Sequence, residues 1–255
     1  MVMKPLCLTI ALLWAALAPA QPPRSIHMLV ALCDNVHQGI VPVPKSLGNG
    51  QDKDNNLYWG AAYGVRTWFD RSKEWERLKV DVVPPAHVLQ RCLWKHRATG
   101  TVLIADAYDG QFIATATADF LSYAGGHAPS TLALGNGQAA LGGAADLIAY
   151  VGHDGLMDFA APTAKPPANA DVRRTIILAC ISQRYFREPL KATGASPLLW
   201  TTGLMAPEAY TLEAALTAWV NGADDAAVRE KAAAAYHTYQ KCGLNAARRL
   251  LVTGW

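Results

Sequence analysis

Apolar residues in this chain gather into short, near-continuous runs that stop on polar or glycine signals. Residues 26–33, 102–105, 147–151 and 175–179 are runs of this kind. Each is too short for a helix and too uniformly apolar for a sheet with one wet face, so each predicts a strand buried on both sides. Between the runs the spacing turns helical. Tyr58, Ala61, Ala62, Val65, Trp68 and Phe69 share one face of a helix that Asn55 or Asn56 is placed to cap. Asp109-Gly110 opens a second helical run over 111–123, and Gly125-Gly126 stops it. Residues 210–220 predict a third, ended by Asn221-Gly222; Asp224-Asp225 opens a fourth through Gln240, and a short fifth covers 245–250. Strands alternating with helices in this way predict a three-layer α/β fold, a mostly parallel sheet with helices on both faces and the C-terminal helices packed on it.

The remaining segments are less regular. Residues 78–83 and 88–94 flank Pro84-Pro85 and read as a hairpin or an addition to the sheet edge, where proline is tolerated. Residues 36–54 form a long Gly-, Pro- and Asn-containing loop placed to wall a site, and the Gly- and Ala-rich stretch 127–144 reads as a mobile surface loop. The link 156–172 contains Pro162, Pro166 and Pro167, which excludes a long helix, yet it is long enough for a parallel crossover.

Composition changes the picture chiefly at the start. Residues 1–20 combine Lys4, an apolar run over 6–17 and the small-residue end Ala18-Pro19-Ala20, which reads as a secretory signal peptide cleaved before Gln21. The run is too short to span a bilayer comfortably, and no later segment does better. The localisation expected is therefore secreted or periplasmic, with residues 21–255 forming one α/β domain and no membrane span after cleavage. Basic residues number 23, including Lys4, against 20 acidic ones, so charge points to neither nucleic acid nor an anionic membrane as a partner. Four cysteines remain beyond the leader, Cys33, Cys92, Cys180 and Cys242, in a compartment where disulfides are allowed; their spacing chooses no pairing and no oligomeric state.

Candidate chemistry lies where two central runs end. The stretch DLIAYVGHDG carries His153 just past its apolar run, and RRTIILACIS carries Cys180. Parallel strands present functional groups beyond their carboxyl ends, so these two side chains are placed to meet. A thiol at its ordinary pKa is barely ionised at neutral pH, and an imidazole beside it takes the proton or stabilises the thiolate. Gly152, Gly155 and Ala179 leave room for a substrate backbone beside main-chain N–H groups.

An apolar strand ending in His-x-Gly, followed by one ending in Ala-Cys, resembles the cysteine peptidase superfamily of caspases, legumains, gingipains and clostripain. The segment LLWTTGLMAPEAY, residues 198–210, is similar to the strand and loop that follow the catalytic Cys in legumain-like members. The resemblance runs over about residues 26–219 in order of elements. It implies an exported endopeptidase acting on a peptide or protein substrate without a cofactor, with Cys180 as nucleophile and His153 as its base. Backbone N–H groups of Cys180 and of Asp154 or Gly155 are the implied oxyanion donors. Asp34, Thr201 and Thr202 are the implied pocket residues, Asp34 suiting a basic side chain. Those families place Gly directly after the His, whereas Asp154 stands there in this chain and Gly155 follows. The implied strand order also puts the His153 strand between those of Cys33 and Cys180, so these two thiols are expected not to bridge and Cys180 to be free.

Two other readings compete. One is a non-catalytic exported scaffold that keeps the fold. The other is a metal-assisted hydrolase in which the strand-end carboxylates Asp34, Asp106 and Asp154 gather around His153, although no HExxH or paired CxxC spacing accompanies them.

Overall fold

The computed structural model describes residues 24–80, 82–135, 137–163 and 165–255. The expected signal peptide and its cleavage point lie outside the described residues. In chain order the elements are β1 (Ser25–Ala31), α1 (Val65–Asp70), β2 (Trp75–Leu78), β3 (Val88–His96), β4 (Val102–Tyr108), α2 (Ile113–Ala124), β5 (Ser130–Leu134) and β6 (Gly137–Leu141). There follow β7 (Leu147–Val151), β8 (Arg174–Leu178), α3 (Ser182–Ala192), β9 (Ser196–Thr201), α4 (Ala209–Val220), α5 (Asp225–Gln240), α6 (Leu244–Leu250) and β10 (Leu251–Val252).

Eight strands form the main sheet in the order β10-β9-β8-β7-β1-β4-β3-β2. The five from β9 to β4 are parallel, and β10, β3 and β2 extend the two edges antiparallel. Every residue of β1, β4 and β7 is buried, which is why their sequences lack alternation. Met28, Val30, Ala149, Val151, Ile176 and Leu178 face a core completed by Val65 and Phe69 of α1, Leu212 and Leu216 of α4 and Val228 of α5. Leu29, Ala31, Ile148, Tyr150 and Ile177 face the opposite core with Phe120 of α2 and Phe186 of α3. These two cores on one sheet make the three-layer α/β/α architecture that the pattern predicts.

Several local expectations need correction. The helix expected from Asn55 or Asn56 begins only at Val65. Asn56 braces the end of β1 instead: its side chain accepts from the Cys33 N–H (3.0 Å) and donates to the Cys33 carbonyl (2.8 Å). Tight turns lead from there to Gly64, and a side chain at Gly60 would run into the Asp54 carbonyl. The strand expected at 78–83 lies earlier, at β2, and pairs with β3 across the proline-containing link. Residues 127–144 contain an antiparallel hairpin, β5 with β6, whose Leu132, Leu134, Ala139 and Leu141 pack on Leu93, Val102 and Ile104. Helix α3, unmarked by the pattern, forms despite Pro189 and buries Phe186 and Leu190 one turn apart.

Candidate active site

The carboxyl ends of β1, β7, β8 and β9 lie side by side, and the candidate residues leave from them. β7 and β8 pair residue for residue up to Val151↔Leu178, and the Gly152 N–H carries the pairing one step further to the Leu178 carbonyl at 3.2 Å. His153 and Cys180 each stand two positions beyond that last pair. They therefore leave neighbouring strands, ~4.8 Å apart, at the same level. Gly152 is what allows β7 to end so close to β1: its φ is +150°, and a Cβ there would stand 2.8 Å from the Ala31 carbonyl oxygen.

His153 is buried. Its Nε2 lies 2.7 Å from Asp158 Oδ2, and its carbonyl accepts from the Tyr150 hydroxyl at 2.9 Å. The same Asp158 oxygen accepts from the Gly39 N–H at 2.8 Å, tying the imidazole to the loop after β1. Cys180 is half-buried, with Sγ 3.4 Å from the Met205 N–H and 3.6 Å from the Met205 carbonyl. Burial raises the thiol pKa and the charge of Asp154 adds to this, while the Met205 amide opposes it. Among the described residues no hydrogen bond joins His153 to Cys180.

The turn after Cys180 is tightly held. Ile181 sits at φ +52°, a left-handed conformation that a β-branched residue rarely adopts, and its N–H donates to the Gly203 carbonyl at 2.9 Å. Behind it, Ser182 Oγ donates to the Ile177 carbonyl and accepts from the Thr201 N–H, both at 3.0 Å. The Thr201 hydroxyl donates to the Ala179 carbonyl. Thr201 is thus a buried brace for the Cys180 turn and not a pocket residue. Thr202 is exposed, but its hydroxyl donates to the Arg249 carbonyl (2.8 Å) and its N–H to the Leu250 carbonyl (2.9 Å), tying β9 to the end of α6.

The remaining candidates do different work. Asp154 is fully buried; Oδ1 caps the short turn Gly155–Met157 by accepting from the Leu156 N–H at 3.0 Å, and Oδ2 has no partner. Burial pushes its carboxyl up to about 7, against the Leu156 N–H and with help from the Asp158 charge. At Gly155 a Cβ would come within 2.7 Å of the Phe159 ring, so a larger residue would collide with it. Asp34 is buried and turned back on its own loop. It accepts from the Val36 N–H (2.8 Å), the His37 N–H (3.2 Å), the His37 ring (2.8 Å) and Gln51 (3.2 Å). Burial opposes its ionisation, but these donors hold the carboxyl below its ordinary value. Such an acid is spent on loop structure and is not available to a basic substrate side chain.

Asp106 lies within β4, where Arg91 holds both carboxylate oxygens at 2.6 Å and His27 Nε2 stands 3.0 Å away. The strand-end carboxylates therefore do not converge on His153. Among the described residues no group of three or more His, Cys, Asp and Glu side chains is placed to hold one metal ion.

All four described cysteines are free. Cys33 is fully buried beside Tyr58, and burial pushes its thiol up to about 11. Cys92 is likewise buried and pushed up to about 12, whereas Cys242 is exposed. Sequence reasoning missed Asp158, Gly39 and Met205. The first two act across a loop separation that no periodicity reports, and Met205 acts through its backbone, which its identity does not advertise. No protein-family model, curated protein or solved structure matches the chain.

Proposed function

We propose that the chain is an exported cysteine endopeptidase whose centre is the pair His153 and Cys180. The observation that carries this reading is their equal register two residues past the last β7–β8 pair, with the thiol half-buried at the sheet's carboxyl edge. In the reaction, the Cys180 proton passes to His153 as sulfur bonds to the peptide carbonyl carbon. The imidazolium then returns a proton to the amine as the C–N bond breaks. Water, deprotonated by His153, hydrolyses the thioester and frees the thiol. The N–H groups of Cys180 and of Asp154 or Gly155 serve the developing oxyanion. Substrate binding supplies the closer approach of imidazole and thiol that catalytic pairs reach only in the complex.

A second reading, a scaffold of the same fold without turnover, draws on the raised thiol and on the absence of a His153 to Cys180 hydrogen bond among the described residues. Incubation with a diverse peptide library separates the two. The peptidase reading expects cleavage that survives EDTA and is lost in both Cys180→Ala and His153→Ala, by orders of magnitude because nucleophile and base act as a unit. Folded wild-type protein that cleaves no peptide favours the scaffold. Export is tested separately: N-terminal sequencing of the mature protein should begin at Gln21, and recovery of chains starting at Met1 from the cell envelope contradicts it.

A further inference from the structure

Building on the peptidase reading, we propose that Asp158 is the positioning residue for His153 and that Gly39 holds Asp158 in place. The carboxylate does two things at one oxygen: Oδ2 stands 2.7 Å from His153 Nε2 and accepts the Gly39 N–H at 2.8 Å. Asp158 itself is fixed by its own backbone, its N–H donating to the Gly155 carbonyl at 2.9 Å at the close of the turn that Asp154 caps. A Cβ at Gly39 would overlap Asp158 Oδ1 and stand 2.9 Å from Cγ, so any larger residue there must push the carboxylate out of its place. Two segments far apart in the chain thus meet on one carboxylate, and that carboxylate meets the imidazole.

The pairing does chemical work that a surface ion pair does not. His153 is 6% exposed and the Asp158 side chain 31%, so the contact is partly shielded from water rather than fully solvated. An imidazole at the tip of a loop turns about two side-chain bonds; a carboxylate on Nε2 fixes its orientation and tautomer and stabilises the imidazolium that forms when the thiol gives up its proton. With Nε2 committed, Nδ1 is the nitrogen left to take the thiol proton. Asp158 touches no reacting atom, so its effect on the thiol passes through His153.

The test needs no known substrate. Full-length protein is alkylated with iodoacetamide across a pH series, and modification of Cys180 is followed by peptide mass mapping, with circular dichroism confirming the fold of each variant. In wild type the neutral-pH rate should exceed that of His153→Ala by about 10²-fold. Asp158→Asn and Gly39→Ala should both fall most of the way to the His153→Ala rate and share its pH profile, whereas Asp158→Glu should recover part of the wild-type rate. If His153→Ala reacts as fast as wild type, the dyad reading itself fails. If His153→Ala is slow but Asp158→Asn matches wild type in rate and profile, the role of Asp158 is overturned. Should Asp158→Asn not fold, Gly39→Ala on the exposed loop decides alone, and a wild-type rate there overturns the proposal.

Discussion

Asp154 is the residue whose chemistry most exceeds what its sequence position announces. Its folded carboxyl titrates near 7 and its unfolded one near 3.8, so between those values the folded chain keeps a proton that the unfolded chain has released. Stability contributed by the neutral form is present at low pH and is lost as pH rises through that window. Asp154→Asn removes the charge while keeping an oxygen for the Leu156 N–H. Relative to wild type it should gain stability between pH 5 and pH 8, by about 3 kcal/mol. Urea unfolding of both proteins at the two pH values checks this, and an unchanged difference between them refutes it. The same variant should also alkylate faster at Cys180 above pH 7, because an anionic neighbour no longer opposes the thiolate. At this scale the places of His153 and Cys180 just past two neighbouring strand ends were legible, since apolar runs stop on them. Asp158 was not, because a carboxylate five residues on in a loop carries no sign that it folds back. Asp34 was misread, because a strand-end acid looks the same whether it faces a ligand or its own backbone.

Among the elements, the β8–α3 turn holds one residue in a costly conformation by several hydrogen bonds. Ile181 in the left-handed region costs about 1–2 kcal/mol, which the surrounding hydrogen bonds of Ser182, Thr201 and Gly203 must hold in place. Thr201→Val keeps the shape but leaves the buried Ala179 carbonyl without its hydroxyl donor. It should lower stability by about 1–3 kcal/mol in urea unfolding, and a neutral result would show that the brace is dispensable. Strands β1, β3, β4, β7 and β8 and the helices α2, α4, α5 and α6 were readable from apolar spacing and caps, because burial on the sheet rewards the period that local propensity favours. The β5–β6 hairpin was not. Gly and Ala fill it, and only its packing on Leu93, Val102 and Ile104 gives those residues a reason to be extended. Helix α3 was hidden by Pro189, and the Asn56 segment by a side chain that braces a loop where a cap was expected.

At the scale of the whole molecule, the strand order places β7 between β1 and β8, so one intervening strand separates the ends carrying Cys33 and Cys180. No helix among the described residues is long and apolar enough to cross a membrane. Thiol accessibility then follows from burial. In native protein Cys242 should be alkylated first and Cys180 next, with Cys33 and Cys92 reacting only after denaturation; peptide mapping that finds Cys33 modified early, or cross-linked to Cys180, contradicts this arrangement. Covalent capture asks whether the carboxyl end of this sheet holds a working thiol centre. Native protein treated with a peptide-based thiol-reactive electrophile should carry an adduct at Cys180, beside any at the exposed Cys242, and the Cys180 adduct should be lost in His153→Ala. No adduct at Cys180 of folded wild type, or a Cys180 adduct undiminished in His153→Ala, would contradict it.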